Sequence, residues 1–277
     1  MATITKKQIK TISNSFSPNV DLMFDKQVTL YVDYLTIPNP SEINILWLCE
    51  PDAISGLKKN LNQVAHHFDY ILTFDVDVLS KYSNAVLHLQ ASNWVSLEKT
   101  YEPKHFSIST VVGNKFQTKG HILRQELWAK QSQINNKEFY LGYFGGPDNE
   151  ENNPILEGGI KDPMFYSQFH ICIENCSIPN YFSEKIIDCF VTKTIPIYWG
   201  CTNIDSRFNA KGILKFNKIN ECIEICNNLN ENSYNELLPY VEENYNIAIN
   251  NYTDWMKNLK QTIKNLNIDE KSISNRM

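Results

Sequence analysis

The chain has 277 residues, with 26 basic and 31 acidic side chains and a net charge of −5. This charge balance lacks the basic surplus of a nucleic-acid-binding protein, so we expect no nucleic-acid partner. No stretch approaches the roughly 20 apolar residues of a transmembrane helix, and the start MATITKKQIKTISNSF has no apolar core like that of a secretion signal. We therefore expect a soluble, cytoplasmic protein without a transmembrane segment.

The seven cysteines lie mostly within apolar runs and are odd in number. This distribution predicts reduced core residues in an intracellular protein. His170, Cys172 and Cys176 are close in sequence, but alternation along a strand places the first two on one face while the third lies in a turn. No metal site is therefore expected there.

The N-terminal part, residues 1–100, shows α/β alternation. An alternating run, QVTLYVDYLTI, precedes a Pro-Asn-Pro break at 38–40. The patterns that follow predict, in order, strand 43–49, helix 52–65, strand 70–74 and strand 85–89. We expect a short Rossmann-like domain over 1–100.

A second alternating series begins after residue 100. It predicts strand 106–112, helix 120–133, strand 139–144, helix 162–168, strand 169–175, helix 184–193, strand 195–199, strand 213–216 and helix 218–229. We assign 101–250 to a second domain and 251–277 to a C-terminal helix and tail. Such alternation indicates parallel sheets covered by helices, so we expect an α/β protein of two facing Rossmann-like domains with a cleft between them.

The stretch 169–200, FHICIENCSIPNYFSEKIIDCFVTKTIPIYWG, predicts a strand, a polar turn, a helix and a second strand. Ser183 is the expected N-cap of this helix. The first turn of a helix carries N–H groups without intrahelical acceptors and the positive end of the helix dipole, which together attract phosphate. Lys185 adds a full positive charge to that turn, so the pattern predicts a phosphate site.

This stretch resembles the donor-binding motif of the α1,3-fucosyltransferases, glycosyltransferase family ten. The family pattern runs F-x-x-x-F-E-N, a short loop, Y-x-T-E-K-I, an apolar helix and P-I-x-x-G. The matching residues here are Phe169, Ile173-Glu174-Asn175, Tyr181-Phe182-Ser183-Glu184-Lys185-Ile186 and Ile195-Pro196-Ile197-Tyr198-Trp199-Gly200. Ser183 replaces the usual Thr and Ile173 the usual Phe.

The resemblance implies a pocket for a guanosine diphosphate sugar. Asn175, Tyr181, Glu184 and Lys185 would line it, with Lys185 on phosphate and Glu184 near the sugar or ribose. In the family, an Arg early on the first helix of the donor domain grips the diphosphate, and the run SISTVVGNKFQTKGHILRQELW presents Arg124 in that place. The family also implies the B-type glycosyltransferase fold.

Upstream, INILWLCEP followed by FDYILTFD is similar to a family strand that carries a T-G-E-N tetrad and then F-D-Y-x-x-x-F-D. Glu50 falls on the carboxylate that serves as the family's candidate general base. Cys49 and Pro51 depart from the tetrad.

The implied activity is inverting, metal-independent transfer of fucose from GDP-fucose to a hydroxyl of a glycan acceptor. No cofactor is expected, with a divalent metal at most stimulating. An alternative is a metal-dependent glycosyltransferase that uses another nucleotide sugar, because Asp75 and Asp77 form a D-x-D motif after an apolar strand. A second alternative is a non-catalytic nucleotide-sugar- or glycan-binding protein, since the first domain is short. The acceptor, the linkage and the oligomeric state are not indicated.

Overall fold

The computed structural model describes residues 6–13, 16–149, 151–266 and 268. Within these residues the chain divides into two compact units. The first unit combines the segment up to Gln90 with the segment from Trp255 onward, and the second runs from Ala91 to Asp254. The tail predicted beyond residue 268 lies outside the described residues.

The described residues form short, mostly parallel strands in both units. They are β1 Lys7–Gln8, β2 Lys10–Ser13, β3 Met23–Phe24, β4 Val28–Val32, β5 Ile43–Trp47, β6 Tyr70–Thr73, β7 Ala85–Leu87, β8 His105–Val112, β9 Lys137–Leu141, β10 Ser167–Ile173, β11 Ile195–Trp199 and β12 Leu214–Lys215.

Helices alternate with these strands along the chain. They are α1 Asp52–Ser55, α2 Lys58–Val64, α3 Val76–Lys81, α4 Lys119–Ala129, α5 Glu184–Val191, α6 Ile219–Asn228, α7 Glu231–Asn251 and α8 Trp255–Lys264.

The first unit contains a parallel sheet in the order β2-β4-β5-β6-β7. Every residue of β4 and β5 is buried, as is typical of parallel strands covered on both faces. Leu259 and Ile263 of α8 join the core cluster that contains Trp47. Leu61 of α2 and Val78 of α3 belong to a separate cluster.

The second unit contains a parallel sheet in the order β12-β11-β10-β8-β9. Its core joins the strands to α4, α6 and α7 through Leu127, Cys222 and Val241. The chain leaves β8 toward one edge of the sheet and later leaves β10 toward the other. Ligands of open α/β sheets bind at such a topological switch point, outside the carboxyl ends of the strands. The predicted α/β class with parallel, helix-covered sheets is confirmed.

Two predicted local elements differ from the structure, and one helix was not predicted. The helix expected over 52–65 is divided, because Gly56 has a left-handed φ of 62° that ends α1. The segment expected as helix 162–168 is a 3₁₀ turn, Asp162–Tyr166, after which the chain pairs with β8. Helix α3 was not expected, and it begins where the Asp75 side chain accepts the N–H groups of Asp77 and Val78.

Gly120, in the first turn of α4, touches the carboxyl end of β10. Its N–H donates to the carbonyl oxygen of Asn175 at 3.0 Å. A Cβ atom at this position would lie 1.8 Å from the carbonyl oxygen of Glu174, which is backbone and cannot rotate away. Only glycine allows α4 to approach the strand end this closely.

We expect Gly120→Ala to destabilise the protein by about 1–3 kcal/mol, because the helix must move away from the strand end. Gly113→Ala is the matched control, since a Cβ there has nothing within 4 Å. Urea unfolding of both variants measures the difference. Equal stability of the two would show that the close approach is not required.

Candidate functional site

Arg124 of α4 reaches the carboxyl end of β10. Its Nε and Nη2 donate to the carbonyl oxygen of Ile173 at 3.1 and 2.9 Å, and Nη2 also donates to Oδ1 of Asn175 at 2.6 Å. Within the described part of the chain, Nη1 has no hydrogen-bond partner. The guanidinium is therefore fixed by its protein contacts while it keeps donors for a ligand.

The start of α5 is tied to the same strand end. The fully buried Glu174 carboxylate accepts hydrogen bonds from Ser183 N at 2.8 Å and Ser183 Oγ at 2.6 Å. Ser183 Oγ in turn accepts the backbone N–H of Lys185 at 3.4 Å. Ser183 is thus the N-cap of α5, as the sequence predicts.

Glu184 lies between two lysines. Its Oε1 is 3.1 Å from the Nζ atoms of both Lys161 and Lys185. Burial raises the pKa of Glu184, but Lys185 and Lys161 outweigh burial and hold this pKa well below its usual range. Burial likewise opposes the charge of Lys185, and Glu184 with Glu174 raises its pKa. Both groups are therefore ionised at neutral pH.

Further basic groups face this region. His121 lies three residues before Arg124 on α4, and burial lowers its pKa to about 4, with further lowering by Arg124, Lys115 and Lys185. The cations Arg124, Lys115 and Lys185 are thus close enough to interact with the neutral ring of His121, although they come from separate segments. The carboxyl edge of the sheet at the switch point is therefore an electropositive environment suited to an anion.

A pocket of about 150 Å³ opens beside Arg124. Gly113, after β8, and Gly142, after β9, form part of its wall. Two exposed aromatic side chains, Tyr143 and Phe144, also line it. The pocket therefore combines aromatic surface with the fixed guanidinium.

The structure brings most of the predicted site residues together in the second unit. Asn175 binds Arg124, and Tyr181 is buried and interacts electrostatically with the guanidinium. Glu184 and Lys185 follow in the first turn of α5. These residues surround the carboxyl end of β10, whereas Glu50 belongs to the first unit.

Glu50 is exposed after β5, and Asp33 holds its backbone. Oδ1 and Oδ2 of Asp33 accept the N–H groups of Cys49 at 2.9 Å and Glu50 at 3.1 Å. Asp33 has a left-handed φ of 46°, and burial raises the pKa of its carboxyl to about 6. Glu50 also lines a pocket, together with Asp52 and Thr73.

The D-x-D carboxylates already bind a cation from the protein. Lys58 Nζ lies 2.9 Å from Oδ2 of Asp75 and 2.7 Å from Oδ2 of Asp77. The residues that the structure describes contain no cluster of three or more His, Cys, Asp or Glu side chains arranged to hold a metal ion. All seven cysteines are free thiols, and all except Cys49 are buried.

The sequence did not identify Asp33, His121, Lys161 or Glu174 as site residues. Glu174 stands inside the recognised motif, but its burial was not expected. His121 follows Thr118 at the capping-box spacing, a pattern that could have marked a helix start. Lys161 and Asp33 are far in sequence from the residues they contact, so no local pattern pointed to them.

Asp188 lies one turn after Glu184 on α5 and is buried. Its Oδ1 accepts the N–H groups of Trp94 at 2.7 Å and Val95 at 3.2 Å. Among the described residues, Oδ2 has no hydrogen-bond partner. Burial raises the pKa of Asp188 to about 7.

No protein-family model matches the chain. A segment of 102 residues is 37% identical to the α-(1,3)-fucosyltransferase FucT of Helicobacter pylori, and it covers 31% of this chain and 21% of that protein. The chain thus spans about a fifth of the length of this curated relative.

Solved structures share the fold over most of the chain. An α1,3-fucosyltransferase structure with GDP-fucose matches 90% of this chain and 78% of its own, at 17% identity and a TM-score of 0.52. The match to the structure of Anabaena Alr3699/HepE in complex with UDP and glucose covers 87% of this chain and 77% of that one, at 8% identity and a TM-score of 0.58.

The chain resembles the α1,3-fucosyltransferases in sequence and in fold. The resemblance read from the donor-binding motif is confirmed, and the fold is that of the B-type glycosyltransferases. Across the described residues, no helix has the length and apolarity to cross a membrane.

We expect Asp188→Asn to stabilise the protein more at high pH than at low pH. The folded-state pKa lies above the unfolded value, so the wild type loses stability as pH rises from about 4 to about 7, and asparagine removes this loss. Melting temperatures at about pH 5 and about pH 8 test this linkage. The exposed acid Glu126, changed to Gln, is the control, and an equal gain for Asp188→Asn at both pH values would contradict the assignment.

Proposed function

We propose that the protein is an inverting glycosyltransferase that moves fucose from GDP-fucose to a hydroxyl of a glycan acceptor. The observation that carries this proposal is the convergence of Arg124 and Lys185, from two separate helices, on the carboxyl end of β10. The segment shared with the Helicobacter pylori enzyme and the fold shared with a GDP-fucose-bound fucosyltransferase support the choice of donor.

The diphosphate leaves with negative charge, so its stabilisation is the main electrostatic task of the donor site. Arg124, Lys185 and the N-terminus of α5 perform this task in our proposal, with Asn175 orienting the guanidinium. Glu184 is kept ionised by Lys161 and Lys185. It can therefore balance the positive charge that develops on the sugar ring as the bond to phosphate breaks.

The pocket beside Arg124 suits the nucleotide base. Tyr143 and Phe144 supply exposed aromatic surface for stacking, and Gly113 and Gly142 leave backbone groups accessible. With the base in this pocket, the phosphates would lie toward Arg124, which borders both the pocket and the strand end.

Glu50 is our candidate for the base that accepts the proton of the acceptor hydroxyl. A positioned general base typically contributes about 10²- to 10⁴-fold to the rate. Asp33 fixes the backbone of Glu50 through two hydrogen bonds to neighbouring N–H groups. The carboxylate is exposed, as a group that must meet an acceptor has to be.

The proposed reaction needs no metal, because Arg124, Lys185 and Lys161 supply the positive charge. A metal at the D-x-D motif would have to displace Lys58 from Asp75 and Asp77. The alternative of a non-catalytic nucleotide-sugar-binding protein has a direct test. Release of free fucose from GDP-fucose without acceptor indicates catalysis, whereas tight binding without any turnover indicates a binding protein.

We expect Lys185→Ala and Arg124→Ala each to lower the rate of fucose transfer by at least about 100-fold, since each removes a donor to the departing diphosphate. The assay measures transfer from GDP-fucose to a glycan panel in the presence of EDTA. Lys215→Ala, which removes an exposed ion pair with Asp205, should retain full activity.

Normal activity of both site variants would refute the donor-site assignment. Loss of wild-type activity in EDTA, restored by Mn²⁺, would instead favour the metal-dependent alternative.

We expect Glu50→Gln to lower transfer by about 10²-fold or more, because glutamine cannot accept the acceptor's proton. GDP affinity, measured by calorimetry, should not change, since the proposed donor-binding residues lie in the other unit. Asp52→Asn is the matched control, because Asp52 is also an acid and lies close to Glu50, at the start of α1. Equal transfer rates of Glu50→Gln and the wild type would exclude Glu50 as the base.

A further inference from the structure

His121 has a defined tautomer because of its place in the helix cap. The backbone N–H of Thr118 donates to Nδ1 of His121 at 3.2 Å, and the Thr118 hydroxyl lies 2.9 Å from the same atom. A ring nitrogen that accepts an N–H hydrogen bond carries no proton. The proton of the neutral ring therefore resides on Nε2.

The Nε2–H group of His121 has no partner within the described part of the chain. The residue is only 5% exposed, and it lines the pocket that Arg124 borders. Since Nδ1 faces the cap, Nε2 lies on the opposite side of the ring, toward the pocket. Because Nε2–H faces the pocket and has no acceptor there among the described residues, it is available to donate to a ligand in the pocket.

The charge around His121 defines the class of that acceptor. Arg124, Lys115 and Lys185 all act electrostatically on the ring. Among the described residues, no acidic side chain lines the pocket that His121 borders. An anionic oxygen is the acceptor that best satisfies both the free N–H and the surrounding positive charge.

We propose that His121 is a phosphate-binding residue, whose neutral ring donates a hydrogen bond from Nε2 to an oxygen of the nucleotide diphosphate. This inference rests on the proposed function for the identity of the nucleotide. It adds an uncharged, pre-oriented donor to the cations of the site. Because Thr118 fixes the ring before the ligand binds, little side-chain freedom is lost on binding.

The affinities of the full-length protein for GDP, guanosine and inorganic pyrophosphate, measured by calorimetry, test the proposal. His121→Ala should weaken the affinities for GDP and pyrophosphate by about 10-fold or more, as expected for the loss of one hydrogen bond to a charged group. The affinity for guanosine should not change. His105→Ala is the matched control, because His105 is an exposed histidine paired with Glu138 in the same unit. It should bind all three ligands like the wild type.

A second measurement uses the wild type, so it does not depend on how well a variant folds. Nitrogen-15 NMR of the histidine rings should show Nδ1 of His121 unprotonated and Nε2 protonated. Added pyrophosphate should shift the Nε2–H resonance.

An Nδ1-protonated ring, or no shift with pyrophosphate, would overturn the proposal. The proposal would also be overturned if His121→Ala bound GDP as tightly as the wild type, or if its affinities for GDP and guanosine fell equally. In these cases GDP binding and fucose transfer by the wild type would leave the proposed function standing. Wild-type protein that binds pyrophosphate but not GDP would retain the role of His121 and refute the proposed donor.

Discussion

The buried carboxylate of Glu174 is the interaction on which the candidate site depends. A carboxylate without solvent contact is costly unless hydrogen bonds replace its water, and Ser183 supplies two such bonds. These bonds fix the first turn of α5 against the end of β10. Because Lys185 also lies 3.8 Å from the carboxylate, the position of its ammonium follows from the same contact. Without Glu174, the cap, the turn and the lysine would lose a common anchor.

The same strand end anchors α4 by a different route. Two nitrogens of Arg124 donate to the carbonyl oxygen of Ile173. The backbone N–H of Gly120 donates to the carbonyl oxygen of Asn175, just beyond the strand. The two helices that flank the switch point are thus tied to one short stretch of chain. The charged side chains Arg124 and Lys185, which these two helices carry, are therefore held at defined positions. This arrangement is the preorganisation that stabilisation of a departing diphosphate requires.

Local sequence patterns predicted those parts of the site that depend on neighbours in the chain. Ser183 was recognised as an N-cap because the cap lies within the motif, and β10, α5 and β11 follow from their apolar runs. Arg124 was placed by the resemblance to the fucosyltransferase family, which implies an arginine early on the first helix of the second domain. The predicted roles of Arg124, Asn175, Tyr181, Glu184 and Lys185 concern a ligand, so they stay predictions.

Contacts made by tertiary packing were outside the reach of the sequence. Lys161 pairs with Glu184, and Asp33 binds the chain at Glu50, across separations that no periodicity encodes. The break at Gly56 was missed for a different reason. The apolar spacing continues through it, and only the left-handed backbone ends α1. The D-x-D motif also makes contacts that its three letters do not encode, since Asp75 caps α3 and both carboxylates bind Lys58.

The D-x-D residues and the α5 residues show how similar groups acquire different chemistry. Lys58 and Lys185 each lie beside two carboxylates, yet their surroundings differ. Asp77 is largely exposed, so water screens its pair with Lys58, and the two carboxylates there outnumber the one ammonium. Lys185 and Glu184 are mostly buried, next to Arg124 and Lys161, and positive charge exceeds negative charge there. A surplus of fixed positive charge at a strand end attracts an anion, whereas a water-screened surface cluster whose carboxylates outnumber its cations does not.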